Sequence, residues 1–261
     1  MQADVVLLVV EERIATVTLN RPDQRNALSG EVLRLLPELL GEADRRDDVD
    51  VIILTGADPA FCAGLDLKEL GSSGGGLAGG SGAQPPSDTA RPRGPFPVLD
   101  KPLIGAINGA AITGGFEIAL NCDFLVASER AKFGDTHARV GVMPGWGLTV
   151  LLPQAIGVRR AREMSFTGNF ISADVALQWG LVNHVVAHEE LLGFTRSLAR
   201  DIAGNDAAGV RQIRKTYAAI HAEQEGWAIE AADSARWQRA MFSPERVAER
   251  RAAIVARGRT Q

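Results

Sequence analysis

The segment INGAAITGGFEIALNCD, residues 107–123, indicates the fold class of this chain. It begins within an apolar run, 102–109, that predicts a buried strand, and it leads into a second such run, 122–128. Between the two runs, Gly114 and Gly115 precede a short apolar helix at 116–120. A strand, a helix and another strand in close succession are typical of α/β domains.

The chain continues this alternation up to about residue 190. Ser29 is a suitable N-cap for an amphipathic helix, and from about Leu191 onward the pattern is helical. Residues 71–95 are rich in glycine, serine and proline and predict a surface loop. Further strands are predicted at 5–10, 14–20, 49–56 and 181–186. We therefore expect an α/β core in 1–190 and an α-helical C-terminal region in 191–261.

Composition and charge exclude several classes of protein. The 261 residues are 46% hydrophobic and 23% charged, as in ordinary soluble globular domains. A net charge of −4 provides no basic footprint for nucleic acid. No apolar run predicts a signal peptide or a membrane span, and Cys62 and Cys122 lack the spacing of a disulfide framework or a metal motif. We expect a cytoplasmic protein without a metal, nucleic-acid or membrane partner.

Two glycine-containing segments are candidates for binding an anionic oxygen. In AFCAGLDLKEL, residues 60–70, Gly64 lets a ligand approach the backbone, and Leu65 is predicted to begin a helix with Asp66 in its first turn. A backbone N–H at such a helix start is able to donate to a developing oxyanion. Gly64 is equally compatible with a plain turn between a strand and a helix.

Gly114 offers a second backbone donor at the positive end of its helix. Glu117 lies one turn further along, where its carboxylate can face the same cavity, although a close-packed glycine pair beside a solvated glutamate is the simpler interpretation. Two donors and a carboxylate together form a set of groups suited to stabilising a thioester enolate and moving a proton beside it.

At this point the chain resembles the crotonase family, also called the enoyl-CoA hydratase/isomerase superfamily. The resemblance covers nearly the whole chain, and its motifs occur in family order. They are RPDQRNALS (21–29), VIILTG (51–56), FCAGLDLKEL (61–70), AINGAAITGGFEIALNCD (106–123), AKFGDTHARVGVMPGWG (131–147) and FTGNFISADVALQWGLVNHVV (166–186).

This resemblance implies a crotonase-type spiral of ββα units, with C-terminal helices that build a homotrimer or a dimer of trimers. It also implies an acyl-CoA or enoyl-CoA substrate and no separate cofactor. By resemblance, the N–H groups of Leu65 and Gly114 form the oxyanion hole, and Glu117 is the first catalytic glutamate. The residues expected along the bound substrate are Gln24, Arg25, Ala63, Gly64, Asp66, Trp146 and Arg257. Core packing explains Trp146 equally well.

The chain departs from the hydratase pattern at its second glutamate. In FGDTHARVG, residues 133–141, that position is occupied by His137, and Thr136 replaces the usual proline. Three interpretations follow. In the first, His137 is a substitute acid/base, since imidazole titrates near neutrality. In the second, Glu117 alone moves protons. In the third, the pocket binds an acyl-CoA without turnover. A structural role, in which His137 is hydrogen-bonded to Asp135, is also compatible with the sequence.

The resulting prediction is an enoyl-CoA hydratase-like lyase that uses Glu117 and His137. The alternatives are a non-catalytic acyl-CoA-binding protein and another crotonase reaction, such as hydrolysis or isomerisation. Some isomerases of the family carry an acidic residue where this chain has Gly145, so a simple copy of those enzymes is disfavoured.

Overall fold

The computed structural model describes residues 4–72, 94–220 and 224–241. The strands of these ranges are β1 (Val6–Glu11), β2 (Ile14–Leu19), β3 (Val51–Gly56), β4 (Ala60–Cys62), β5 (Leu103–Ile107), β6 (Ala110–Ile112), β7 (Phe124–Ser128), β8 (Lys132–Gly134), β9 (Ile171–Ser172) and β10 (His184–Val186). The helices are α1 (Gly30–Arg45), α2 (Leu67–Ser72), α3 (Gly114–Leu120), α4 (His137–Val140), α5 (Leu148–Ile156), α6 (Val158–Thr167), α7 (Ala173–Trp179), α8 (Leu191–Ala203), α9 (Ala207–Ile220) and α10 (Gln224–Met241).

The strands form two sheets. The larger is six-stranded, in the order β1-β2-β3-β5-β7-β10, and all of its neighbouring strands are parallel except β1 and β2. The smaller has the order β4-β6-β8-β9, and only β8 and β9 are antiparallel. Parallel strands with helical connections confirm the predicted α/β class.

Both faces of the larger sheet are covered by helices. The strand VIILTG of β3 is buried along its whole length, as a central parallel strand requires. On one face Leu36 and Leu40 of α1 join the main core. On the other face Leu191 and Ala199 of α8 pack against Ile53. The first helix after residue 190 is therefore packed on the sheet.

Helix α1 begins as its sequence predicts. The side chain of Ser29 accepts a hydrogen bond from the backbone N–H of Val32 at 3.3 Å. This contact confirms Ser29 as the N-cap, and it satisfies one of the donors left free at a helix start. The glycine-rich loop predicted at 71–95 lies almost entirely outside the described residues.

The smaller sheet brings the ends of two neighbouring strands to one region of the molecule. The strand β6 leads directly into α3, and β8 leads through Asp135 into α4. Because β6 and β8 are parallel neighbours, the helices that follow them start side by side. This topology places Glu117 of α3 close to His137 of α4.

Candidate active site

Glu117 is a buried carboxylate held by the backbone of a separate loop. Its side chain lies one turn into α3 and is 3% exposed. Its Oε1 accepts hydrogen bonds from the N–H groups of Gly145, at 3.2 Å, and Trp146, at 2.8 Å. The other oxygen, Oε2, faces His137. Glu117 is therefore positioned inside the protein, in contrast to the solvated glutamate that the simpler sequence interpretation described.

His137 lies between two carboxylates. It is the first residue of α4, and its Nε2 is 3.4 Å from Oε2 of Glu117. Its Nδ1 is 2.6 Å from Oδ1 of Asp135, which also accepts the backbone N–H of His137 at 3.1 Å. The hydrogen bond to Asp135 orients the ring so that Nε2 points at Glu117. All three side chains are buried.

This arrangement favours the protonated imidazole. Burial lowers the pKa of His137, but the hydrogen bonds and negative charges of Asp135 and Glu117 outweigh it and raise the pKa to about 10. Burial raises the pKa of Asp135, yet the hydrogen bond and charge of His137 leave it below its ordinary value. The site therefore contains an imidazolium at neutral pH, with one N–H directed at Glu117.

The two predicted oxyanion donors lie on segments that touch each other. Gly64 has a φ of +88°, and a Cβ built on it would lie 2.9 Å from the carbonyl oxygen of Ile112 and 3.5 Å from the backbone nitrogen of Gly114. Only glycine allows this approach. Gly114 is the first residue of α3, where backbone N–H groups have no acceptor within the helix.

The conformation around Leu65 differs from the prediction. Leu65 does not begin a helix, because α2 starts at Leu67. Leu65 instead forms a parallel bridge with Leu28, in which Leu28 N–H donates to Gly64 O and Asp66 N–H donates to Leu28 O. In such a bridge the N–H of Leu65 itself points away from Leu28. The bridge keeps this backbone extended, so the helix begins two residues later than predicted.

The side chain of Asp66 contacts Arg21 and the backbone at Lys68. Its Oδ2 is 3.1 Å from a guanidinium nitrogen of Arg21, and its Oδ1 accepts the backbone N–H of Lys68 at 3.0 Å. The sequence predicts Asp66 in the first turn of the helix, but Asp66 lies before α2, which begins at Leu67. Helix α3 is also longer than predicted, since it begins at Gly114 and not at Phe116.

The other residues predicted along the substrate lie near this region or outside the described chain. Gln24 and Arg25 are exposed, and the carbonyl of Arg25 accepts the N–H of Ala63 at 3.0 Å. The ring of Trp146 lies beside Gly114, because a Cβ on that glycine would be 3.0 Å from its Cζ3. Arg257 lies outside the described residues.

Two residues that the sequence analysis does not identify contact Glu117 or the loop that holds it. Nδ2 of Asn121 donates to the carbonyls of Glu117, at 2.8 Å, and Trp146, at 2.9 Å. Glu230 of α10 reaches the same loop at Gly147 and Thr149. Asn121 follows Glu117 at helical spacing, which is a weak local signal. Glu230 is more than eighty positions from Gly147 and Thr149 in the sequence, and no local pattern connects it to them.

Within the described ranges, no group of three or more histidine, cysteine, aspartate or glutamate side chains is arranged to hold a metal ion. None of the helices described here is both long and apolar enough to cross a bilayer.

Comparison with known proteins identifies relatives of the chain. A family model described as enoyl-CoA hydratase/isomerase matches residues 10–253. The probable enoyl-CoA hydratase 1, peroxisomal, of Arabidopsis thaliana is 43% identical over 201 residues, which are 77% of this chain and 73% of that protein. The short-chain-enoyl-CoA hydratase of Clostridium acetobutylicum is 37% identical over 215 residues, covering 81% and 80% respectively.

A solved structure has the same fold. The crystal structure of an enoyl-CoA hydratase from Mycobacterium smegmatis aligns with a TM-score of 0.80 and 49% sequence identity. The alignment covers 92% of this chain and all of that one. The α/β architecture predicted from the sequence motifs is therefore the architecture of these relatives.

Proposed function

The chain belongs to the enoyl-CoA hydratase/isomerase family, and we propose that it is a hydratase-like lyase that adds water to a 2-enoyl-CoA thioester with Glu117 and His137 as its acid/base pair. The observation that carries the proposal is the 3.4 Å approach of Oε2 of Glu117 and Nε2 of His137. This distance exceeds that of an ordinary charge-assisted hydrogen bond, about 2.7–2.9 Å. Because 3.4 Å leaves no room for another group between the two atoms, each of them acts on a reactant that lies beside the pair.

Glu117 acts as the base. Its Oε1 is occupied by the N–H groups of Gly145 and Trp146, which leaves Oε2 to take a proton from water. The resulting hydroxide oxygen bonds to C3 of the enoyl group as the C2–C3 π electrons move toward the thioester. The N–H groups of Leu65 and Gly114 stabilise the enolate oxygen that this produces.

His137 acts as the acid. With a pKa of about 10 it carries its proton at neutral pH, and Nε2–H donates that proton to C2 of the enolate. The product is a 3-hydroxyacyl-CoA whose hydroxyl group comes from the water and whose new C2 hydrogen comes from His137. Glu117 then holds the proton taken from the water, and His137 lacks the proton that it gave to C2. Transfer between Oε2 and Nε2 returns both groups to their starting forms.

Family membership supports a proposal for the rest of the substrate and for the assembly. We propose that the CoA portion passes Gln24, Arg25 and the segment 63–66, where Gly64 admits the chain and Asp66 holds its segment against Arg21. The ring of Trp146 covers the acyl end, and Arg257 contacts a phosphate. Residues 191–261 build a homotrimer or a dimer of trimers. The substrate supplies the CoA, so no separate cofactor is required.

The test is the loss of enoyl-thioester absorbance when the purified protein is mixed with crotonyl-CoA. Glu117→Gln and His137→Gln should each lower kcat by about 10²- to 10⁴-fold, the range typical of general acid–base groups. The matched controls are Glu129→Gln and His184→Gln, which alter exposed residues of the same types. These controls should retain wild-type turnover.

Four other outcomes would assign the site differently. Turnover that survives His137→Gln but not Glu117→Gln means that Glu117 moves protons alone. Release of free CoA means that the thioester is hydrolysed, and product analysis that finds a shifted double bond means isomerisation. Binding of crotonyl-CoA without any reaction contradicts hydration of this substrate and favours an acyl-CoA-binding protein.

A further inference from the structure

Glu230 is a buried carboxylate on a helix that is otherwise largely exposed. It belongs to α10 and is 6% exposed, while its neighbours Ile229 and Ala231 are exposed. Its Oε1 accepts the backbone N–H of Gly147 at 2.6 Å, and its Oε2 accepts the backbone N–H of Thr149 at 2.7 Å. The hydroxyl of Thr149 also donates to Oε2. A buried carboxylate with three donors is held in one place.

These donors belong to the start of α5. Gly147 is its N-cap residue, and the helix begins at Leu148. A carboxylate at this position satisfies backbone N–H groups that have no acceptor within the helix, and it interacts favourably with the helix dipole. Glu230 therefore caps a helix from another part of the chain.

The same loop holds Glu117. The N–H groups of Gly145 and Trp146 donate to Glu117, and those of Gly147 and Thr149 donate to Glu230. The loop 145–149 is thus held between two carboxylates on two different helices. Burial raises the pKa of Glu230, and the negative charge of Glu117 raises it further, although the hydrogen bonds from Thr149 and Gly147 act in the opposite direction.

Helix α10 makes two more contacts with this part of the chain. The indole N–H of Trp237 donates to the carbonyl of Gly141 at 3.0 Å. The ring of Trp227 lies so close to Gly147 that a Cβ there would be 1.9 Å from its Cη2. Contacts at Gly141 and Gly147 fix both ends of the segment that follows His137 in α4.

We propose that Glu230 is a positioning residue, which holds the loop 145–149 so that the N–H groups of Gly145 and Trp146 keep Glu117 in its reactive position. The consequence for turnover rests on the proposed function. The consequence for the loop does not, because it concerns hydrogen bonds within the chain. Helix α10 then contributes to catalysis in addition to any role in assembly.

The test uses Glu230→Gln, which keeps the shape of the side chain. A glutamine amide can accept from only one of the two backbone N–H groups, because its NH₂ is a donor. The matched control is Asp233→Asn. This substitution removes the same charge as Glu230→Gln. Asp233 lines the same cavity of about 420 Å³ as Glu230 and pairs with Arg236.

With crotonyl-CoA, Glu230→Gln should lower kcat by about 10- to 100-fold, the loss expected when a catalytic group shifts by about 1 Å. The KM should stay within about threefold of wild type, because the residue does not contact the substrate. Amide hydrogen exchange in a peptide spanning 143–152 should become faster in Glu230→Gln. In Asp233→Asn, kcat, KM and this exchange should match wild type.

The outcomes separate the two proposals. An unchanged exchange rate in Glu230→Gln overturns the positioning role, whatever the activity. Faster exchange with an unchanged kcat, or with a raised KM alone, also overturns it. A wild-type protein that leaves crotonyl-CoA unaltered contradicts the proposed function, and the exchange measurement still decides whether Glu230 holds the loop. A thermal midpoint for Glu230→Gln within about 4 °C of wild type establishes that the variant is folded.

Discussion

Asp135 controls the charge of His137 through a 2.6 Å contact with Nδ1. Asp135→Asn removes the negative charge but keeps an acceptor of the same shape. Burial continues to lower the pKa of His137, and one of the two charges that opposed it is lost. The alkaline limit of kcat should therefore move from near pH 10 to lower pH by about 1–3 units. The measurement is kcat against pH with crotonyl-CoA.

The control for this prediction is Asp174→Asn, which removes a charge from the exposed first turn of α7. Its profile should superimpose on that of the wild type. An alkaline limit that stays unchanged in Asp135→Asn would show that His137 does not supply the proton in the step that limits kcat.

Residue chemistry was the part of the site most accessible from sequence. Motif positions predict Glu117 and His137, and the sequence is compatible with Asp135 as a partner for the ring. The structure shows how close these three side chains lie, which a spacing of two or twenty residues cannot specify. The local sequence pattern predicts that a helix begins at Leu65. A bridge to Leu28, 37 positions away, overrides that preference.

At the scale of secondary-structure elements, the contact between α5 and α10 requires a glycine at position 147. It has a φ of +98° and a ψ of 9°, and Trp227 occupies the space where a side chain would begin. Gly147→Ala therefore introduces both backbone strain and a steric clash. We expect a loss of more than about 2 kcal/mol of unfolding free energy, together with a lower kcat. Chemical denaturation and crotonyl-CoA turnover measure the two effects.

Gly180→Ala isolates the backbone contribution. Gly180 ends α7 with a φ of +80° and a ψ of 15°, close to the values of Gly147, but a Cβ there meets only the carbonyl oxygen of Ala155 at 3.7 Å. This variant should lose about 1–2 kcal/mol with kcat unaltered. Equal losses of stability in both variants would contradict a clash between α10 and the loop.

Helices and strands were predictable where one local cause dominates. Ser29 caps α1, and the apolar run at 14–20 forms β2 as predicted, because the cap and the apolar pattern are local. The contact of Glu230 with Gly147 depends on the way α10 folds back across 83 positions. The abundance of Ala, Arg, Glu and Gln predicts that α10 is a helix, but not which carboxylate it buries.

At the scale of the whole molecule, the fold buries an imidazolium and two carboxylates side by side. The parallel pairing of β6 and β8 brings Glu117 and His137 together, so their interaction exists only in the folded chain. In the unfolded chain these residues are separated and solvated. A difference in proton affinity between the two states makes the stability of the whole protein depend on pH.

Stability should fall as pH rises above the unfolded pKa of His137, near 6.5, toward its folded pKa of about 10. In this window the native state keeps a proton that the unfolded state releases, so the slope is negative, at most about 1.4 kcal/mol per pH unit. Chemical denaturation between about pH 7 and pH 8.5, below the ordinary titration of cysteine, measures this slope at a fixed protein concentration.

His137→Gln should flatten the curve of stability against pH, whereas His184→Gln, at an exposed position, should keep the wild-type slope. A wild-type curve as flat as that of His137→Gln would mean that the folded protein does not hold His137 as an imidazolium.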